Sequence, residues 1–275
     1  MHAINVAIGA LLDTLLWPFH GWPLAGLAVV SLLVAIVLVG VFKLTSNQRA
    51  LAEAKRQVQA SLFELRLLQE DPVAVLRAAG QLLWHQGRYL RYASVPLLWV
   101  GLPLALLVTH LQARYGYDGL YPGQSAIVTV RMKPAAAGAR PALTIDAPPD
   151  GLRIETPGVW VPSLREMAWR VSALRGGEFS LSVTLPSTQA ATKQVLIGNS
   201  LAARATVRPD AAIGEQFAYP VEAPLPADSA IEAITIAYPA RAIGVLGVPL
   251  HWVVLFLVLS MAFALLLRPL FGVVF

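Results

Sequence analysis

The sequence predicts a helical membrane protein: three transmembrane helices, an N-terminal interfacial helix and a cytoplasmic helical hairpin, joined to an antiparallel immunoglobulin-like β-sandwich. Three observations predict it. Uncharged apolar runs at Leu24–Phe42, Ala93–Leu111 and about Val248–Leu267 each approach the ~20 residues a helix needs to cross a bilayer. Charged residues make up 13% of the chain and apolar residues 56%, against about 25% and 45–50% in soluble domains. Between the second and third runs the apolar period shortens to two, the period of strands. The expected organisation is an interfacial helix and linker over 1–23, spans over 24–43 and 91–111, a hairpin over 44–90, the β-domain over 112–240, and a third span with a short tail over 241–275.

At the N-terminus, Ile4, Ile8, Leu11, Leu12 and Leu15 recur at helical spacing, while Asn5 and Asp13 lie to one side. This pattern predicts a short amphipathic helix over Ile4–Leu16 lying in the interface, ended before Pro18. Residues 1–42 hold no Lys or Arg, so the basic start of a secretory signal is missing. Trp17 and Trp22 fit aromatic anchors at headgroup level.

Charge sets the expected orientation. The stretch 43–91 carries eight basic residues: Lys43, Arg49, Lys55, Arg56, Arg66, Arg77, Arg88 and Arg91. The positive-inside rule places it in the cytoplasm and the N-terminus outside. Segment 112–241 carries twelve, but long domains translocate largely regardless of charge. Three spans put this segment outside and the C-terminus inside, in the bacterial inner (plasma) membrane. Tyr115, Tyr117, Tyr121, Tyr238 and Trp252 would then form the outer aromatic belt.

In the hairpin, Leu44, Leu51, Val58 and Leu65 fall seven apart among good helix formers. The spacing predicts a long coiled-coil helix ended by Pro72, a returning helix over Val73–Trp84, and a break at Gly87. The stripe serves either packing within the pair or contact with a ribosome or client. Arg49, Lys55, Arg56 and Arg66 are the candidate cytoplasmic contacts.

In the β-domain, inward candidates alternate with polar neighbours at Ala126–Met132, Met167–Val171, Phe179–Leu185 and Ile234–Tyr238. Shorter candidates are Leu143–Ile145, Leu152–Ile154, Val195–Ile197 and Ala205–Val207. Turn signals separate them: Pro148-Pro149-Asp150-Gly151, Arg175-Gly176-Gly177 (read as a hairpin turn), Gly198-Asn199, Arg208-Pro209-Asp210 and Pro224-Leu225-Pro226. Seven or eight short strands at this spacing suggest the sandwich. Trp169 is the candidate core aromatic.

No catalytic chemistry is legible. The chain has no cysteine, which excludes disulfides and thiolate chemistry. His2, His20, His85, His110 and His251 lack partners at metal-ligand spacing, and there is no GxSxG, P-loop or GxGxxG. No enzyme activity, cofactor or metal is expected. The spans carry no charge, which weighs against a pump or channel.

Three sequence features follow one another in order. Phe42-Lys43-Leu44-Thr45-Ser46-Asn47-Gln48 leaves the first span, the Ala50–Glu70 helix follows, and Arg88-Tyr89-Leu90-Arg91-Tyr92 leads into a second span containing Pro96 and Pro103. This order resembles the Oxa1 superfamily, most of all its minimal three-span members and bacterial relatives related to YidC, over about residues 24–111 and 248–270. The resemblance implies a membrane-protein insertase or intramembrane chaperone. Its partners would be the bilayer and a nascent membrane protein or another membrane subunit, with no direct nucleic acid beyond ribosome contact. It also implies a hydrophilic groove, for which Ser31, Lys43 and Ser260 are the candidate lining. The groove arginine of the YidC branch has no counterpart within these spans, and the β-domain stands where minimal members have a short loop. The alternative is a non-catalytic membrane-anchored scaffold whose β-sandwich recruits an extracytoplasmic protein.

Overall fold

The computed structural model describes residues 1–45, 48–67, 72–134, 140–186, 188–198, 200–245 and 247–272. The chain divides into two units, Met1–Gly26 with Leu106–Trp252, and Leu27–Ala105 with Val253–Phe275.

The first unit opens with helix α1, His2–Leu16, followed by a 3-10 turn at Trp17–Phe19 that contains Pro18. The helix exists as expected. Asn5, Leu12 and Leu16 are buried, whereas Ile4, Val6 and Leu11 are exposed. The side bearing Asn5 faces protein, and much of the apolar side faces outward.

The β-domain of this unit contains two main antiparallel sheets. Strands β1 (Ser125–Met132), β3 (Leu152–Ile154), β4 (Val159–Val161), β5 (Glu166–Ala173), β8 (Val207–Arg208) and β9 (Ile231–Ile236) make one. Its order is β3-β5-β1-β9-β8, with β4 also pairing β5. Strands β2 (Thr144–Asp146), β6 (Gly177–Leu185) and β7 (Thr188–Ile197) make the other, in the order β2-β6-β7. Strand β1 lies at the centre of the larger sheet, with Val128 opposite Trp169 on one side and Ile236 on the other. Alternation sends Ala126, Val128, Val130 and Met132 inward, where they join Met167, Trp169 and Val171. Leu181, Val183, Val195 and Ile197 of the smaller sheet belong to the same core. Trp169 is therefore a core aromatic. On the outer face, Arg131 and Glu166 stand opposite one another and pair at 2.7 Å, a favourable cross-strand match.

Several local expectations change. Arg175-Gly176-Gly177 joins strands of different sheets, so it is a crossing between layers rather than a hairpin turn. Strand β4 and the short helix α5, Ile213–Ala218, carry too few residues to show a period. Val248–Leu250 is not the start of the third span: it is strand β11, paired with β10, Ile243–Val245. A short apolar run does not distinguish strand from helix by periodicity. Tyr115, Tyr238 and Trp252 are buried rather than displayed as a belt, and Trp252 Nε1 donates to Gln112 Oε1 at 2.8 Å. Tyr121 alone of that group is among the exposed large side chains.

The chain leaves for the β-domain and returns from it at one place. Tyr117 bridges Ala240, and Asp118 N donates to Pro239 O at 2.8 Å. Nearby, Gly119 lies so close to Gly198 that a Cβ on Gly119 would sit 1.9 Å from the Gly198 carbonyl oxygen. Only glycine fits at 119, and Gly198 itself adopts φ +130°.

The second unit is helical. Helix α2 spans Pro23–Thr45, α3 Gln48–Leu67, α4 Pro72–Tyr115 and α6 Trp252–Phe271, the residues before Leu27, after Ala105 and before Val253 belonging to the first unit. Among the described residues, three helical stretches are long and apolar enough to cross a membrane: His2–Phe19, Pro23–Thr45 and Trp252–Phe271. The expected second span, Ala93–Leu111, lies inside α4 and falls partly on side chains outside the described residues. Helix α4 is continuous, so Gly87 does not break it. One glycine costs a helix only about 1 kcal/mol, less than the surrounding turns supply.

In α2 the covered stripe is Leu27, Val30, Ser31, Ala35 and Val39, while Leu33, Ile36 and Val37 are exposed. In α6, Phe256 and Ser260 are covered, while Leu257, Val258, Met261, Leu265 and Leu266 are exposed. The expected heptad of the hairpin is only partly realised. Leu44 is exposed, Val58 and Leu65 are half-buried, and the side chain of Leu51 lies outside the described residues. Leu62, Phe63 and Leu67 are exposed as well.

Candidate functional site

Buried charge concentrates where α4 ends in the first unit. Arg114, 1% exposed, donates to Asp13 Oδ1 from Nε at 3.1 Å and from Nη2 at 2.6 Å. Its remaining donors reach the carbonyls of Gly9 at 3.1 Å and His110 at 3.2 Å. One arginine thus ties α1 to the last turn of α4. Arg241 pairs with Asp118 at 2.5 Å and donates to the carbonyl of Arg114 at 3.3 Å and that of Ser200 at 3.4 Å. It supplies a donor to a helix end whose last carbonyls have no partner within the helix. Arg204 serves the loop after β7, donating to the carbonyls of Ser200 at 2.7 Å and Gly198 at 3.3 Å. Burial, with Arg241 nearby, pulls the Arg204 pKa down to about 10, which leaves it cationic at neutral pH. Three arginines and two carboxylates therefore hold this end together, with carbonyl oxygens absorbing the surplus charge.

A second buried pair, Lys193 and Glu222, links β7 to the segment after α5. Lys193 Nζ also donates to Ala205 O at 2.5 Å, and Glu222 accepts from Gln194 N at 2.6 Å. Burial lowers the Lys193 pKa, and the Glu222 carboxylate opposes that shift. With both charges hydrogen-bonded, removing either one strands the other in a dry site, at a cost of about 3–5 kcal/mol.

A surface feature suited to a ligand is an open groove of about 960 Å³ on the first unit. Arg131, Lys133 and Arg165 line it with Asp210, Glu215 and Glu232, and Tyr219 adds an aromatic surface. Arg131 and Arg165 approach Glu232 at 4.0 and 3.9 Å. Among the described residues, Arg165 is the non-glycine residue with positive φ, +56°. Its carbonyl accepts from Met132 N at 2.9 Å, which holds that turn on the end of β1. Charges of both signs around an open channel suit a polar protein segment better than a small substrate, which prefers an enclosed apolar pocket. Among the described residues, no three His, Asp or Glu side chains converge as metal ligands do.

The residues singled out from sequence land apart from this groove. Ser31 and Ser260 are both buried in the second unit, and neither Oγ has a hydrogen-bond partner among the described residues. They do not bond back to their own helices, unlike Thr45, whose Oγ1 donates to Val41 O at 2.7 Å. Lys43 is exposed. Lys55 is half-buried, and Arg56 is exposed beside Glu53 at 3.9 Å. The side chains of Arg49 and Arg66 lie outside the described residues. Sequence reasoning missed Asp13, Arg114, Asp118 and Arg241. One signal was available: Asp13 is the only acidic residue before Glu53, set in an otherwise apolar segment. An isolated charge there needs a partner.

These features define a class: a helical protein with membrane-compatible helices, carrying a folded antiparallel β-domain with a charged surface groove. No family model, curated protein or solved structure matches the chain.

Proposed function

We propose that this protein is a non-catalytic membrane scaffold that presents an immunoglobulin-like β-sandwich outside the cytoplasm to recruit a protein partner. The groove lined by Arg131, Lys133, Arg165, Asp210, Glu215 and Glu232 carries this reading, because it offers paired charges without a catalytic set. The basic 43–91 segment supports the orientation, hairpin inside and β-domain outside, in a bacterial inner membrane. The test places a photo-crosslinking residue at Thr235 in the groove, or at Ser180 on the other sheet, in cells expressing the full chain. A discrete adduct from 235 and none from 180, lost on Arg131→Glu, is expected. Equal patterns from both sites would remove the groove from the function.

A second reading has its own observation. Ser31 and Ser260 are buried hydroxyls without partners among the described residues, on otherwise apolar helices, which supports a polar path of the Oxa1 insertase kind. Ser31→Leu with Ser260→Leu would then abolish crosslinks between nascent membrane proteins and α2 or α6. A failure of the unmodified protein to crosslink any nascent chain during translation removes this reading.

A further inference from the structure

We infer that α1 is a strap between lipid and β-domain: its exposed arc rests in the acyl-chain boundary of a bilayer, and its other side is fastened to the first unit. The inference rests on the membrane part of the proposed function and adds a specific surface and its occupant.

The exposed arc comprises Ala3, Ile4, Val6, Ala7, Ala10, Leu11 and Thr14. It offers hydrocarbon no unsatisfied polar group, because Thr14 Oγ1 donates back to Ala10 O at 2.9 Å. The polar groups are tied to the first unit: Asn5 is buried, and Asp13, 59% exposed at the edge of the arc, is paired with Arg114. Asn5 Nδ2 donates to Gln216 O at 2.8 Å, Gly9 O accepts from Arg114, and Asp13 is neutralised by the same arginine. A surface helix in water has the opposite arrangement, apolar stripe inward and polar face outward.

Two further observations select lipid over a protein partner. Trp17 and Trp22, 75% and 76% exposed, stand at the C-terminal end of the strap, where interfacial aromatic anchors belong. The chain then enters α2, an apolar helix long enough to span, at Pro23. Although His2–Phe19 is long and apolar enough to span, Asn5, Gly9 and Asp13, spread along the 15 residues of α1, are each fastened to the first unit, which a helix crossing hydrocarbon would not allow along its length. The strap therefore lies along the boundary rather than across it. Residues 1–42 carry no basic charge, so the attraction is apolar, not electrostatic.

The absence of cysteine makes the test direct. Ala3→Cys, Ala7→Cys and Ala10→Cys, with Leu257→Cys on α6 and Ser180→Cys on β6, each receive a polarity-sensitive dye. The full-length protein is reconstituted in phosphatidylcholine vesicles containing some phosphatidylglycerol, with bromine near either the carbonyl or the methyl end of the acyl chains. Dyes at 3, 7 and 10 should lose emission to the shallow bromines to similar extents, the dye at 257 to bromine at either depth, and the dye at 180 to neither. A quenched 257 with an unquenched arc overturns the strap and leaves the membrane reading intact. Loss of quenching at 257 as well overturns that reading itself. A depth gradient from 3 to 10 makes α1 a span and overturns the strap. Shielding of the arc from both bromine and aqueous iodide means that protein covers it, and also overturns the strap.

Discussion

The β-domain and the helical unit obey one packing rule with opposite results. In the β-domain, Val128, Val130, Leu181 and Val183 are inside, and Arg131, Arg170 and Glu178 are outside. In the helical unit, Leu257, Val258, Leu265 and Leu266 are outside, and the hydroxyls of Ser31 and Ser260 are inside. Each surface suits a different medium. Water favours the first arrangement through the cost of exposed hydrocarbon. A bilayer removes that cost, so packing shape rather than hydrophobicity decides what is covered, and small residues such as Ser31 and Ala35 are among the covered ones in α2. Outward leucine on helices long and apolar enough to span is what a bilayer would favour.

The comparison breaks most sharply at Trp169. Trp169→Ala should destabilise the β-domain by about 3–5 kcal/mol, as loss of a buried aromatic does. Chemical unfolding of the detergent-solubilised protein, followed by near-ultraviolet circular dichroism, measures this. A change below about 0.5 kcal/mol, the range of ordinary surface sites, would show that the ring is not core.

The next effect contrasts exposed positions in the two units. Met261→Arg, at the middle of α6, should disfavour membrane insertion by about 2.5–3.5 kcal/mol, seen as protein lost from the carbonate-resistant membrane fraction. Ile127→Arg, at an exposed apolar position on β1, should stay within about 0.5 kcal/mol of the parent. Similar behaviour of the two variants would mean that both units face the same medium.

The smallest effect tests the interior of the β-domain by pH. Burial pushes the Tyr238 phenol up to about 12, while its oxygen accepts from Leu196 N at 2.9 Å. The folded state then holds that proton when the unfolded state has released it. Its contribution is complete below the ordinary value of 10.0 and is lost as pH rises through about 12. Stability measured across that window should decline less steeply in Tyr238→Phe. An unchanged slope would put the titration elsewhere.

The strands were legible because alternation records which side meets the core. Ala126–Met132 and Met167–Val171 read correctly for that reason. The partners of α1 were not legible. The apolar spacing does not reveal that Asn5 is buried against Gln216 or that Asp13 pairs with the distant Arg114. The long-range partners of Lys193 and Arg241 left no local pattern for the same reason. Of the candidate site, the basic groove residues were visible as residues, but their convergence depends on pairing β1 with β9.

The meeting of Tyr117 with Ala240, and of Asp118 with Pro239, has a consequence for modularity. A segment whose two ends are already hydrogen-bonded neighbours can be exchanged as a cassette, since its removal leaves a gap that a tight turn can close. The residues from 118 to 239 can thus be lengthened, shortened or swapped without changing the separation of the chain ends that flank them.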